Sequence, residues 1–209
     1  MIDTVAFQNE YGEILRPYED YGVFLKSHNA ALPEPKIYRV ALDGADGDID
    51  MTEWTGDTLF QSRPVRVDFR DMSASAYTHI ANFLLGQRVQ ITFSEAPDYY
   101  YVGRCERPDN STERRVTDFG FDFTCDPFRY ARSKTHKTIV SAGVLVAARM
   151  PAVPVITADR ACVLTYGETE YEIAQGKQTL ARFVITRRPK QVTISNNAKV
   201  SFEWRDGVF

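Results

Sequence analysis

The sequence predicts a mainly β fold of the α+β kind, built as two units. The first, residues 1–131, is an antiparallel β-sheet or β-sandwich domain with one helix. The second, residues 132–209, is a small β-sandwich. Three observations carry this expectation. Most segments alternate apolar and polar residues with a period of two, the mark of half-buried strands. One segment alone switches to helical spacing. After Tyr130 the texture changes to short, closely spaced strands and the charge reverses sign: residues 1–131 hold 22 acidic and 13 basic side chains, a net of −9, and residues 132–209 hold 6 and 12, a net of +6. Such asymmetry between halves supports separate units.

The elements follow in order. Tyr38–Leu42 reads as a strand, followed by the turn GADGD, where Gly44 and Gly47 supply unusual backbone angles. In RPVRVDFR, Val65, Val67 and Phe69 share one face, with Arg66, Asp68 and Arg70 on the other. In SASAYTHIANFLLGQ, Tyr77, Ile80, Ala81, Leu84 and Leu85 recur at helical spacing. Ser73 or Ser75 can cap the start through its hydroxyl oxygen, and Gly86 can take the left-handed conformation that ends the helix. About three turns are expected, with the Ile80/Leu84 stripe laid on the sheet. RVQITF places Val89, Ile91 and Phe93 on one face, and SEAPD joins it as a hairpin to YYYVGRC. RPDNST, residues 107–112, reads as a polar loop. FGFDFTC then alternates Phe119, Phe121, Phe123 and Cys125 with Gly120, Asp122 and Thr124. RSKTHK, residues 132–137, reads as a basic linker. Beyond it come the strand candidates TIVSAGVLVA, PVITA, CVLTY, TEYEIA, ARFVIT, QVTIS and VSFEW, with turns at Gly167, Gly176 and Asn196-Asn197.

A chain of 209 residues with 44% hydrophobic and 12% aromatic content buries a real core without disulfides or metal. No apolar run is long enough to span a bilayer. The first residues, MIDTVAFQNE, do not read as a signal peptide. The three cysteines are therefore expected as free thiols of a reducing compartment. The acidic N-terminal half argues against a nucleic-acid-binding surface there, because phosphate contacts need Lys and Arg.

Several residue groups invite sharper chemistry. Asp43, Asp46, Asp48 and Asp50 alternate as calcium ligands do, yet the sixth position from Asp46 is Met51 where a calcium loop needs glycine, and the twelfth is Asp57 instead of Glu. A solvated turn is the plainer reading. Cys105, Cys125 and Cys162 lie 20 and 37 residues apart with no CxxC pair, and His28, His79 and His136 are scattered, so no zinc site or nucleophile is expected. Cys125 reads as a small core residue. Tyr99 and Tyr101 fall on one face of a strand and Tyr100 on the other, so the three do not make one stacking platform. Arg187, Arg188 and Lys190 read as a solvated loop. No residue is assigned a catalytic, cofactor-binding or metal-binding role, no cofactor is expected, and the chain is not read as an enzyme.

Taken in order, these stretches resemble the distal tail proteins (Dit family) of long-tailed bacteriophages and their prophage relatives, in a compact version. The resemblance rests on Pro33 and Pro35, then Tyr38–Leu42, then Gly44, Asp46, Gly47, Ile49 and Asp50; on Leu85, Gly86, Val89–Phe93, Tyr99–Tyr101, Gly103 and Arg104; and on Phe121, Phe123, Cys125, Pro127 and Phe128. VPVIT and the closing FEWRDG resemble the end of compact members. Where the family often has Pro and Arg around the first turn glycine, this chain has Asp43 and Ala45. Its C-terminal part of 78 residues is shorter than the galectin-like domain of many relatives. The resemblance implies a structural hub: a homohexameric ring at the tail tip, formed by the N-terminal domain. It would join the major tail tube protein to tail-tip (tail-associated), baseplate and receptor-binding proteins. DNA would meet it only in transit through the lumen, and no membrane is involved. The expected location is the virion, after synthesis in the bacterial host cytoplasm. Part of the −9 charge is expected to line the lumen, where it would repel phosphates. The alternative is a carbohydrate-binding module in which the C-terminal sandwich holds cell-wall sugar. That reading needs a groove lined by aromatics such as Tyr166, Tyr171, Phe183, Phe202, Trp204 and Phe209.

Overall fold

A computed structural model describes residues 2–44, 46–109 and 118–209, residues 107–109 by their backbone alone. It divides into two compact units, one running to Arg129 and including Phe209, the other Tyr130–Val208. The fold is mainly β with antiparallel ladders, as the alternation requires.

The first unit contains β1 (Val5–Asn9), β2 (Ile14–Leu15), α1 (Pro17–Tyr21), β3 (Phe24–Ala30), β4 (Arg39–Ala41), β5 (Asp48–Asp50), β6 (Arg63–Arg70), α2 (Ala74–Leu84), β7 (Arg88–Phe93), β8 (Tyr99–Asp109) and β9 (Phe119–Cys125). Its main sheet runs β2-β1-β7-β8-β9-β6-β3. Phe7 on β1 and Phe69 on β6 have ring centroids 6.5 Å apart although three strands separate them. Four strand spacings of about 4.8 Å would put them about 19 Å apart in a flat sheet. The sheet therefore curls over its own apolar face. His28 on β3, stacked on Phe93 of β7 at 4.0 Å, gives the same result from the other edge. Inside the curl lie Val65, Val67, Phe69, Val89, Ile91, Phe121 and Phe123, the faces that alternation predicts.

Helix α2 covers this core with Ile80 and Leu84, both fully buried. Ser73 caps it, its hydroxyl accepting from the Ala76 amide at 3.2 Å, and Gly86 follows with φ +72°. Leu85, counted with the residues at helical spacing, is exposed because the helix has ended and the backbone there is extended. A second helix departs from the single one expected. The five-residue α1 is started by Pro17 and stopped by Gly22 at φ +68°. The segment read as the loop RPDNST begins as strand, since Arg107–Asp109 pair with β9; residues 110–112 lie outside the described residues.

Gly103 pairs with Cys125 across β8 and β9 with no room for a side chain. A Cβ there would fall 2.3 Å from Cys125 Sγ and 2.8 Å from both the Cys125 Cα and the Thr124 carbonyl oxygen. Two of those atoms are backbone and cannot swing away. Gly103→Ala is expected to destabilise the unit by about 1–3 kcal/mol, as overpacking does, read as a lower midpoint of denaturant unfolding with an unchanged slope.

β10 (Arg129–Ala131), of which Tyr130 and Ala131 belong to the second unit, pairs with β19 (Gly207–Val208). Two four-stranded sheets make the sandwich. One is ordered β11 (Thr135–Ile139), β18 (Val200–Trp204), β13 (Val155–Ala158), β16 (Gly176–Thr179). The other is ordered β12 (Ala142–Leu145), β17 (Lys190–Ile194), β14 (Cys162–Tyr166), β15 (Thr169–Ile173). Ile156 and Phe202 from the first sheet, with Leu164 and Val192 from the second, share one core. Four readings of this half need correction. TIVSAGVLVA is not one strand: its start ends β11 at Ile139, and Ala142–Leu145 form β12 in the other sheet. RSKTHK is not simply a linker, because Thr135–Lys137 already pair with β18. Gly176 opens a strand and does not only mark a turn. ARFVIT is not a strand: Phe183 and Ile185 are buried two apart, yet only Ile185 makes a bridge, to Ala152. Asp206 joins several parts of this unit, its carboxylate accepting from Thr135 Oγ1 at 2.5 Å, the Ala148 amide at 3.0 Å and Trp204 Nε1 at 3.0 Å.

Candidate assembly surface

Between β3 and β6 the chain leaves the sheet and forms an arm, residues 31–62. Its stem is closed by backbone bonds, Gln61 N to Glu34 O and Lys36 N to Leu59 O, both 2.8 Å. Further out, Met51 N donates to Tyr38 O at 2.8 Å, and β4 pairs with β5 around Gly44 and Gly47, both with positive φ. Two three-residue strands do not hold together alone in water. Among the described residues, no side chain between Glu34 and Ser62 is buried, and none belongs to either core. A connection this long without a core of its own points to function.

The arm is nonetheless apolar. Leu32, Ile37, Tyr38, Leu42, Ile49, Met51, Trp54 and Leu59 are all exposed, Trp54 to 71% and Ile37 to 61%. Lys36, Tyr38, Val40, Met51, Thr52, Trp54, Thr55 and Leu59 line a cleft of about 540 Å³. Scattered single apolar side chains are normal on a surface, but a contiguous patch of this kind marks an interaction site. The arm carries seven acidic residues, Glu34, Asp43, Asp46, Asp48, Asp50, Glu53 and Asp57, against Lys36 and Arg39. Asp50 is tied into the arm. Hydrogen bonds from Thr52, the side chain's and then the amide's at 2.9 Å, hold its carboxyl below the ordinary carboxylate range.

The sheet edges offer less. Edge strand β2 has two residues. The other edge, β3, carries a bulge between Leu25 and Ser27, and Lys26 is engaged with Asp118 at 2.7 Å. In the second unit, edge strand β15 presents exposed Glu170 and Glu172. Short, bulged and charged edges resist strand addition.

The residues singled out for chemistry stay apart. Asp43, Asp46, Asp48 and Asp50 are exposed on the arm, and among the described residues no three His, Cys, Asp or Glu side chains gather into a metal-binding group. His28 stacks on Phe93, His79 on Tyr21 at 5.8 Å, and His136 lies 3.6 Å from Glu203. Tyr101 packs against Phe93 at 6.0 Å, and Tyr99 lies under the Arg129 guanidinium at 4.7 Å. Of the aromatics that a sugar groove would need, Tyr166, Tyr171, Phe183, Phe202 and Trp204 lie inside the sandwich core, and Phe209 stacks on Phe128 at 5.3 Å in the first unit. No helix among the described residues is long and apolar enough to cross a membrane.

The cysteines are free and buried. Burial first, and Asp126 next, push the Cys125 thiol up to about 12. It is therefore a neutral thiol at pH 8, and only the thiolate is nucleophilic. Iodoacetamide at that pH is expected to leave Cys105 and Cys125 unmodified in the folded protein and to label all three cysteines in denaturant, read by peptide mass. Rapid labelling of Cys125 in the native state would contradict this packing.

No family model matches the sequence, and no curated protein is similar to it. Among solved structures, the chain is similar to the SPP1 Dit (gp 19.1) protein, described as a paradigm of the hub adsorption apparatus in phages infecting Gram-positive bacteria. That similarity has a TM-score of 0.68 at 14% identity and covers 100% of both chains. Chains of the phage P2 baseplate in its activated conformation align more weakly. With calcium the TM-score is 0.45 at 8% identity, over 100% of this chain and 99% of that one. With strontium it is 0.44 at 8% identity, over 97% and 98%. From end to end, this chain has the fold of a Dit hub protein.

Proposed function

We propose that this chain is a structural subunit of a phage or prophage tail tip, acting by assembly and not by catalysis. Six copies form a closed ring that joins the tail tube to tail-tip, baseplate and receptor-binding proteins, with a lumen for DNA. The observation that carries this reading is the end-to-end fold similarity, at TM-score 0.68, to a hub protein. The N-terminal unit supplies the ring contacts, and residues 132–209 form an appended sandwich.

The arm is the contact we assign to the second copy. Its apolar cleft has no cover within the described part of its own unit, and the blunted sheet edges disfavour strand addition as the means of association. A contact between one patch and a different patch on the neighbour closes into a ring when the rotation closes. Part of the N-terminal acidic excess, with Asp43–Asp50 the foremost candidates, lines the lumen. Like charge there repels passing phosphates over about 8 Å at physiological salt, whereas basic residues would bind them.

Electron microscopy of the purified chain mixed with the tail tube protein of the same phage tests the reading. Rings seated on tube ends are expected. Tubes with bare ends beside unattached chain would overturn it.

A further inference from the structure

Arg63 occupies an odd place. It is the first residue of β6 and continues the inward face of Val65, Val67 and Phe69, yet it is charged and only 2% exposed. Its Nη2 donates to the Ala30 carbonyl at 2.8 Å. Its guanidinium lies 5.0 Å over the Tyr101 ring. Nε and Nη1 have no hydrogen-bond partner, and no carboxylate pairs with it among the described residues. Burial lowers the affinity of this group for its proton, but a guanidinium stays charged in proteins.

A buried charge with so few partners is a poor device for stability. Apolar groups of similar volume commonly serve as well or better in such places. What arginine does here, and methionine does not, is bond Ala30. Ala30 is the last residue of β3 before the arm, and Arg63 is the first residue of β6 after it. One side chain thus joins the two roots of the arm, 33 residues apart in sequence. Just beyond it the stem closes through Glu34–Gln61 and Lys36–Leu59. Phe60, packed on Phe128 at 6.0 Å and on Phe209 at 4.8 Å, steadies the returning strand of the stem, but it does not tie that strand to Ala30.

We propose that Arg63 is a positioning residue for assembly. It fixes the root of the arm, so that the apolar cleft is presented to a second copy of the chain in one geometry. This rests on the arm being the assembly contact. Holding a docking element in its bound geometry raises affinity by removing the ordering cost at association. Losing a hydrogen bond to a charged donor weakens the association by about tenfold.

The test compares wild type with R63M, R63Q and R63K in the full chain. R63M is expected to retain the wild-type melting temperature to within a few degrees. Amide hydrogen exchange across residues 32–60 should quicken by about tenfold, and self-association should need about ten times more protein. R63Q should behave as R63M does. R63K, which keeps a charged donor, should recover part of both losses. A purely packing role would move the melting temperature and leave exchange in the arm unchanged. Wild-type exchange and association in R63M would overturn the proposal. So would unfolding of both R63M and R63Q, since Arg63 would then be holding the core. A separate change in the cleft, Trp54→Glu, keeps the two ideas apart. If it abolishes association while R63M does nothing, only the role of Arg63 fails. If it leaves association intact, the assembly contact itself is wrong and the proposal falls with it.

Discussion

Replacing Trp54 by glutamate is expected to abolish self-association at concentrations where the wild-type chain is fully assembled, with the fold unchanged. Trp54 is 71% exposed and belongs to neither core, so the isolated chain has little to lose. Surface changes of this kind shift stability by about 0.5 kcal/mol or less. In an interface the same ring would be an anchor. It lines the cleft beside Tyr38, Met51 and Leu59, and tryptophan is the residue type most enriched among those that carry binding energy. Removing such an anchor costs about 2–4 kcal/mol, or roughly 30- to 1000-fold in affinity. A glutamate adds a charge to a surface already rich in Asp and Glu. Size-exclusion chromatography with light scattering reads the mass, and thermal unfolding reads the fold. Wild-type assembly in this variant would show that the arm is not the contact.

Phe183→Ala is expected to be the most damaging single change in the C-terminal unit. Phe183 is fully buried, and its ring lies 4.9 Å from Tyr166, 5.0 Å from Tyr171 and 5.9 Å from Phe202. It therefore joins the two sheets, Tyr166 and Tyr171 standing on one and Phe202 on the other. Truncating such a ring removes its transfer energy and leaves a cavity, about 3–5 kcal/mol together. A small domain has about 5–15 kcal/mol in all. Urea unfolding followed by the tryptophan signal, in which Trp204 reports on this unit, should show a transition at much lower denaturant. A midpoint within a few tenths of a molar of wild type would mean that the core refills the space.

The elements that the sequence makes legible are those whose chemistry is local. In β6 and β7 the alternation is strict because one face packs and the other is wetter; β9 departs from it only at Gly120, which the Arg66 and Asp68 side chains cover. The start of α2 is written in Ser73 and its end in Gly86. What escapes reading depends on partners far along the chain. Gly-Lys-Gln-Thr becomes strand β16 with no apolar side chain of its own, because it lies at an edge and pairs with β13. The segment 181–186 shows the opposite error. Its two-residue burial comes from Phe183 and Ile185 entering the core from an irregular backbone.

The assembly surface is half legible for the same reason. Tyr38–Leu42 and the glycine turn announce a strand and its turn, and the structure closes them into a hairpin at β4 and β5. Nothing in the apolar residues themselves says that this hairpin lacks a cover, since an exposed and a buried strand can share one alternation. Arg63 is hidden more deeply. Read by residue type, it belongs in solvent; read by register with Val65 and Val67, it belongs inside, and there it lies.

Sedimentation velocity of the full chain over a wide concentration range, with electron microscopy of the heaviest species, tests the central claim most directly. The account predicts a shift from single chains to one closed species of about six times the 23.8 kDa chain mass, seen as rings with a central opening, as concentration rises. A chain that sediments as a monomer at every concentration, and still forms no ring when the tube protein is added, would contradict it.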